Sequence, residues 1–255
     1  MDDVIIDYIE KTEVNNPVLI EGLPGIGDVG KIAAKLLIEQ MEAKKIISIY
    51  SRFLPPQVLV TDEGIIQPMQ NEIYFVRTEK DHELLILTGD YQGLTSEGQY
   101  DLSYSILKLL KSLNVKKIIT LGGYGVRKIP EEPRVLGAAT GEKLVEEMKE
   151  YGVHFETGHP SSGIVGASGL LLGLARLFNL EGVCLMGETH GFFPDPQGAK
   201  TVLKVLSELF DLELDYSSLD KISPDLEILK ARLKELEEVG TDGVSDSTGD
   251  LSYFA

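Results

Sequence analysis

The chain reads Val18-Leu-Ile-Glu-Gly-Leu-Pro-Gly-Ile-Gly-Asp-Val-Gly-Lys31 at the point that decides its fold. The apolar run at its start is short and continuous, which is typical of a strand that is covered on both faces. Glycines then provide a tight turn, and residues 30–41 carry apolar side chains at helical spacing. A buried strand that passes through a glycine loop into an amphipathic helix is the building unit of an α/β sheet.

The same layout recurs along the chain and predicts an α/β fold, with a mostly parallel sheet flanked by helices. Further strands are expected at residues 46–50, 57–61 and 73–78, the last two antiparallel, and further helices at 103–113, 141–151, 198–210 and 224–239. Nothing divides residues 1–239, so they form one domain that includes the C-terminal helix 224–239. The recurring apolar runs that end in glycine are 84–89, 118–123 and 183–187.

The composition excludes several classes of function. The formal net charge is −17, from 24 basic and 41 acidic residues, and no basic stripe is present, which argues against nucleic acid as a partner. A single cysteine excludes an internal disulfide and fits a reducing compartment. No stretch has the length and apolarity of a membrane span or of a secretory signal. We therefore expect a cytoplasmic protein without a membrane partner.

The predicted last helix has well-marked ends. Ser223 suits the N-cap, Pro224 the first turn and Gly240 the exit. Leucines at 226, 229, 233 and 236 form a single apolar seam. This seam packs either on the parent domain or on a second subunit.

Residues 240–255 form an acidic tail that ends in aromatic side chains. The first eleven are small, polar or acidic, so they do not bury enough apolar surface to order themselves. Leu251, Tyr253 and Phe254 then stand beside the free carboxylate of Ala255, as in a peptide that docks into another protein. Alternatively, the segment is a frayed terminus or folds its aromatics back onto the chain's own surface.

The glycine loop itself is a candidate anion site. Gly25, Gly27 and Gly30 fit a dinucleotide-binding pattern, and Gly25 with Gly30 and Lys31 fits most of a phosphate loop. Ile32 stands where a phosphate loop has a hydroxyl for Mg²⁺, and Asp28 brings a negative charge into the cradle. The alternative is a tight strand-to-helix turn whose glycines permit positive φ and close packing.

A second loop, residues 187–196, follows a buried strand at the position where α/β sheets bind ligands. Glu188, His190 and Asp195 have the chemistry of an acid–base group, whereas the alternative is a structural or partner-facing loop. A third loop, 122–141, contains Arg127 and Arg134, which bind an anion or pair with carboxylates such as those of residues 131 and 132. No metal site, cofactor or catalytic residue is predicted.

The ordered motifs together resemble the PAC2 family. They are Gly22-Leu-Pro-Gly-Ile-Gly-Asp-Val-Gly30, Gly-Gly-Tyr at 122–124, Pro-Arg-Val-Leu-Gly-Ala-Ala-Thr at 133–140, Ser-Gly-Ile-Val-Gly at 162–166, Gly-Glu-Thr-His-Gly at 187–191 and Pro-Asp-Pro at 194–196. The chain is similar to the archaeal branch of that family, the proteasome assembly chaperone homologues, over about residues 10 to 210.

The resemblance implies a layout related to nucleoside phosphorylases, without demonstrated catalysis, so a non-enzyme is expected. It implies homo-oligomers that bind proteasome α subunits or the α ring, through C-termini that end hydrophobic–tyrosine–any residue. Phe254 stands where that tyrosine is expected. One alternative is that this member binds a related chaperone homologue. Another is a nucleotide- or nucleoside-binding enzyme or sensor that uses loops 22–31 and 187–196.

Overall fold

The computed structural model describes residues 3–126, 132–155 and 163–221. Within them, an eight-stranded sheet is covered by helices on both faces, and a separate two-stranded hairpin projects from it. The strands are β1 Val4–Tyr8, β2 Val18–Glu21, β3 Lys44–Ser51, β4 Val58–Val60, β5 Ile66–Pro68, β6 Asn71–Arg77, β7 Glu83–Gly89, β8 Lys117–Gly125, β9 Val135–Ala139 and β10 Glu181–Thr189. The helices are α1 Val29–Gln40, α2 Ser96–Ser112, α3 Glu142–Lys149, α4 Ala167–Ala175, α5 Pro196–Phe210 and α6 Ser217–Asp220.

The strand order of the large sheet is β1-β3-β6-β7-β2-β8-β10-β9. The four central strands, β7, β2, β8 and β10, are parallel, and antiparallel neighbours extend the sheet on both sides. The predicted α/β class is therefore confirmed. Because β3 opposes β6 and β6 opposes β7, β3 points the same way as the central strands. We call the side on which β2, β3, β7, β8 and β10 end the carboxyl edge.

Each central strand contributes to two cores because both of its faces are covered. Ile20 of β2 lies in the core beneath α1, α3 and α5, whereas its neighbour Leu19 lies in the core beneath α2 and α4. Both side chains have no exposed surface. Burying such a side chain stabilises the fold by about 1.5–3 kcal/mol. The alternation explains why the strands read as continuous apolar runs.

Several elements differ from the sequence prediction. Helix α2 begins at Ser96 rather than Ser103, because the hydroxyl of Thr95 accepts a hydrogen bond from the Gly98 amide at 3.0 Å and caps an earlier turn. Strands β1, β5 and β9 and helices α4 and α6 were not predicted. The strand expected at 57–61 pairs with β5 outside the large sheet.

The predicted helix 224–239 and the tail 240–255 lie outside the described residues. Among the described helices, none is both long enough and apolar enough to cross a membrane.

Candidate functional site

The glycine loop between β2 and α1 lies at the carboxyl edge, where it brings backbone into direct contact with backbone. A Cβ on Gly22 would lie 2.2 Å from the Gly30 carbonyl oxygen, and a Cβ on Gly30 would lie 2.4 Å from that of Leu121. Gly27 has φ +62°, and a Cβ there would lie 2.8 Å from Oγ1 of Thr189. These three glycines let α1 start directly against β8 and β10.

Two other residues of the predicted anion site remain accessible. The atom nearest to a Cβ built on Gly25 is Nε2 of Gln92, at 3.9 Å, so Gly25 is not closely packed. Lys31 lies half-buried on the first turn of α1. Asp28 precedes this helix in the left-handed region and makes no capping hydrogen bond with its side chain. Its charge lies beside the amides that a phosphate would need.

Gln92 connects the glycine loop to two helices. Its Nε2 donates to the Pro24 carbonyl oxygen at 2.6 Å. Its Oε1 accepts from the backbone amide of Ala167 at 2.8 Å and from the Gln99 side chain at 3.1 Å. The first turns of α2 and α4 are thereby held against the loop.

Glu188, at the end of β10, is committed to an ion pair. Its side chain is 2% exposed, and Oε1 lies 2.6 Å from Nη2 of Arg134. Oε2 also accepts a hydrogen bond from the Arg134 backbone amide at 2.8 Å. Burial by itself raises the pKa of Glu188, but the hydrogen bonds and charge of Arg134 outweigh it and hold that pKa below its usual value. This carboxylate stays ionised and anchors the segment that leads into β9.

Both the side chain and the backbone amide of Asp195 make structural contacts. Its carboxylate caps α5 by accepting hydrogen bonds from the amides of Gln197 and Gly198 at 3.0 and 3.1 Å. Its own amide donates to the Gly27 carbonyl oxygen at 2.7 Å. His190 is exposed, and no hydrogen bond joins it to Glu188 or Asp195. The three predicted acid–base residues share one edge but are not assembled into one group.

Sequence reasoning missed a buried carboxyl group at Glu21. This residue ends the apolar run of β2 and has no exposed surface. Its carboxyl accepts hydrogen bonds from the Leu23 amide and the Ser168 hydroxyl, both at 3.0 Å. Burial raises the pKa of Glu21 to about 7. The charged residue at the end of an otherwise apolar strand was the available signal.

Glu21 is the first of three polar or titratable side chains that lie side by side across β2, β8 and β10. Thr120 on β8 is its register partner, and Cys184 on β10 is the partner of Thr120. All three side chains are fully buried. Burial and the nearby Glu21 raise the pKa of the Cys184 thiol to about 12, so it is not a nucleophile at neutral pH. Cys184 is therefore a small buried side chain of the core.

The carboxyl edge is thus held together largely by contacts within the chain. Within the described ranges, no group of three or more His, Cys, Asp or Glu side chains is arranged to hold a metal ion. The predicted docking residues Leu251, Tyr253, Phe254 and Ala255 lie outside these ranges, as does Arg127.

Comparison with known proteins covers nearly the whole chain. A model of the PAC2 family matches residues 19–237. An uncharacterized protein of Methanocaldococcus jannaschii is 40% identical over 225 residues, which are 88% of this chain and 86% of that protein.

Solved structures agree with the sequence comparison. Pyrococcus furiosus PbaB, an archaeal proteasome activator, matches with a TM-score of 0.83 and 36% identity, covering 93% of this chain and 100% of that chain. Pyrococcus furiosus PbaA, an archaeal homolog of proteasome-assembly chaperone, matches with a TM-score of 0.72 and 30% identity, covering 92% of this chain and 96% of that chain. The described fold is shared almost end to end.

Proposed function

Because the chain belongs to the PAC2 family, we propose that it is a homo-oligomeric proteasome assembly chaperone or adaptor that binds the proteasome α ring. In this proposal the C-terminal Tyr253-Phe254-Ala255 is the docking peptide, with Leu251 as an additional apolar contact. The protein acts by binding, and we assign no catalytic step to it.

The observation that carries this proposal is the likeness to PbaB, an archaeal proteasome activator, over nearly the whole chain. The arrangement of the carboxyl edge supports it as well. Glu188 is held by Arg134, Asp195 caps α5, and Gly27 packs against Thr189. These residues are engaged in holding the fold, as expected of a scaffold that presents a docking segment.

The length of the tail suits docking on a neighbouring ring. Its sixteen residues extend to about 50–55 Å at most, and a flexible chain of this length spans roughly 20–24 Å on average. Two aromatic side chains bury about 150–250 Å² each, but ordering the tail offsets most of that gain. One tail therefore binds weakly, in the micromolar to millimolar range. Several tails on one oligomer raise the avidity by roughly 10²–10⁴.

Deletion of Tyr253 to Ala255 from the full chain tests the docking role. We expect binding to purified α rings, measured by biolayer interferometry, to weaken at least tenfold. The deletion removes every tail of the oligomer at once, and with them the gain in avidity of about 10²–10⁴. Ser245→Ala is a matched control in the same acidic segment and should bind as the parent chain does. Unchanged binding after the deletion removes the tail from the mechanism.

The missing hydroxyl at Phe254 is tested separately. Phe254→Tyr restores the hydrophobic–tyrosine–any residue pattern, and peptide hydrolysis by the proteasome reports gate opening. An increase in hydrolysis without tighter ring binding assigns opening to the hydroxyl. If neither quantity changes, the hydroxyl is not the limiting feature.

The second candidate is a nucleotide- or nucleoside-binding enzyme or sensor. The accessible backbone at Gly25 and the half-buried Lys31 favour it. The charge of Asp28 beside them opposes an anion. Calorimetry with ATP, NAD and nucleosides decides between the two candidates, because a chaperone of the proposed kind gives no heat with any of them.

A further inference from the structure

The β4–β5 hairpin presents apolar side chains to solvent on both of its faces. Directly opposed residues share a face, so Val58, Val60, Ile66 and Pro68 form one stripe. Leu59 points to the other face, and Ile65 closes the hairpin at the turn. The five aliphatic side chains at 58, 59, 60, 65 and 66 are between 42% and 67% exposed.

Such a hairpin is not expected to persist alone in water. A two-stranded ribbon is marginally stable unless a third strand or a packed surface supports it. Monomeric proteins also rarely expose contiguous apolar patches of more than a few hundred Å². The exposed stripe has the size at which apolar surface patches are often functional, which makes it a candidate docking surface.

An apolar cleft of about 730 Å³ lies at the base of the same hairpin. Leu54 and Met69 are buried beneath it, and Ile5 and Tyr50 line it from β1 and β3. Val58 and Pro68 belong to both the cleft and the exposed stripe. The two surfaces are thus continuous, one projecting and one recessed.

Charge distinguishes the two surfaces. The hairpin turn carries Asp62 and Glu63, both exposed. The cleft contains Arg52, whose side chain is 53% exposed and lies 2.9 Å from Asp3. Arg52 is the one basic residue among the described residues that line the cleft, so an acidic tip that approaches the cleft would share its guanidinium with Asp3.

We propose that the hairpin of one copy of this chain occupies the cleft of a second copy. This inference rests on the proposed homo-oligomer and identifies a contact that builds it. Since hairpin and cleft adjoin, a two-fold axis between the copies exchanges them reciprocally. The acidic tip of each copy then approaches Arg52 of the other.

The area is sufficient for a stable contact. Five aliphatic side chains exposed to this extent offer on the order of 300–400 Å² of apolar surface. In a reciprocal contact each copy buries its own hairpin and its own cleft, which doubles the figure to roughly 600–800 Å² per copy. A standard interface buries about 800 Å² per partner.

The test is the native mass of the full chain with the double substitution Val60→Glu and Ile66→Glu. The two positions are opposed on one face of the hairpin and lie outside both cores, so the fold is retained, which circular dichroism checks. We expect the dissociation constant of the oligomer to rise at least about 100-fold, because two aliphatic anchors are lost from each copy. Leu177→Glu is the matched control, since Leu177 is 73% exposed but lies near α4, away from the hairpin; it should leave the mass unchanged.

A charge exchange provides an independent second measurement. Arg52→Glu alone, and Asp62→Arg with Glu63→Arg alone, should each weaken the oligomer, whereas the combination should restore it. Failure of the combination to restore a weakened oligomer contradicts the reciprocal placement of tip and cleft.

The remaining outcomes separate this inference from the proposed function. A parent oligomer that the hairpin substitutions leave intact overturns the hairpin contact only. If the oligomer with the hairpin substitutions stays intact but no longer binds α rings, the hairpin contacts the proteasome. That result also overturns the proposed contact between copies. A parent chain that is monomeric at all concentrations overturns both the contact and the homo-oligomer.

Discussion

Glu188 and Arg134 join the ends of two neighbouring strands, β10 and β9, through a charged side-chain pair and a backbone amide. Arg134 lies just before β9, and its guanidinium and amide both donate to the one carboxylate. Glu188 belongs to the predicted acid–base segment 187–196, whereas Arg134 belongs to the other loop, 122–141. The two side chains form a structural ion pair.

Replacing Arg134 with methionine should destabilise the fold by about 1–3 kcal/mol, because it leaves a buried carboxylate without its charged partner. The effect should fade as the pH falls through the lowered pKa of Glu188, because the carboxyl is then protonated in the parent as well. Its folded-state pKa lies below the usual value, so its contribution is present at higher pH and is lost as the pH falls. Urea denaturation at pH 7 and at a series of lower pH values measures both.

The matched control is Lys149→Met, which breaks an exposed pair with Glu146. An exposed pair contributes at most about 1 kcal/mol, and often nothing measurable. If both substitutions cost the same at pH 7, Glu188 does not depend on Arg134 for its charge.

Glu21 should make the protein less stable as the pH rises. Its pKa is about 7 when folded against an ordinary value of 4.5, so the folded chain holds this proton more tightly than the unfolded chain. The stability from this group is greatest below pH 4.5 and falls until about pH 7. Glu21→Gln removes the dependence while an amide still accepts from Leu23. The variant should therefore gain roughly 2–4 kcal/mol over the parent at pH 8 and nothing at pH 4.5.

Thermal denaturation between pH 4.5 and pH 8 follows this difference. Glu142→Gln, on the exposed side of α3, is the control and should run parallel to the parent at every pH. A difference between Glu21→Gln and the parent that is flat across the range would show that Glu21 is ionised when folded at all these pH values.

Gly27→Ala should destabilise the fold by about 2 kcal/mol or more. The left-handed conformation costs an L residue about 1–2 kcal/mol, and the new Cβ meets Oγ1 of Thr189 at 2.8 Å. Gly25→Ala is the control two residues earlier, where the nearest atom is 3.9 Å away. We expect it to change the free energy of unfolding by less than about 1 kcal/mol. Equal effects at the two positions would mean that close packing at Gly27 is not what the loop requires.

Local pattern was sufficient to predict the central strands and most helices. The runs that end at Glu21, Thr88, Leu121 and Met186 are continuous because each strand faces two cores, and that property is readable without knowing the neighbours. The strand at 57–61 shows the limit of this reasoning. Val58-Leu59-Val60 has the composition of a buried strand, yet all three side chains are exposed. Composition does not reveal which surface a strand meets.

The site could be located from the sequence but its connections could not. Loops 22–31 and 187–196 were expected at strand ends, and both lie at the carboxyl edge. Glu188 meets Arg134 across 54 positions, Gln92 meets Ala167 across 75, and Glu21 meets Ser168 across 147. No spacing rule links residues at such separations, because only the packed sheet brings them together.

Because β3 runs parallel to the central strands, the hairpin that follows it lies on one side of the sheet, at the carboxyl edge. Asp220 pairs with Lys200 near the start of α5 on that same side. Lys116, exposed before β8, lies at the opposite end of a nine-residue strand, about 30 Å away. A fluorophore attached to the Lys116→Cys variant would lie on the side opposite the carboxyl edge. The buried native thiol of Cys184 would not react with the same reagent. A label at this position would report the proposed contact at the carboxyl edge from the opposite side of the sheet, where it does not obstruct that contact.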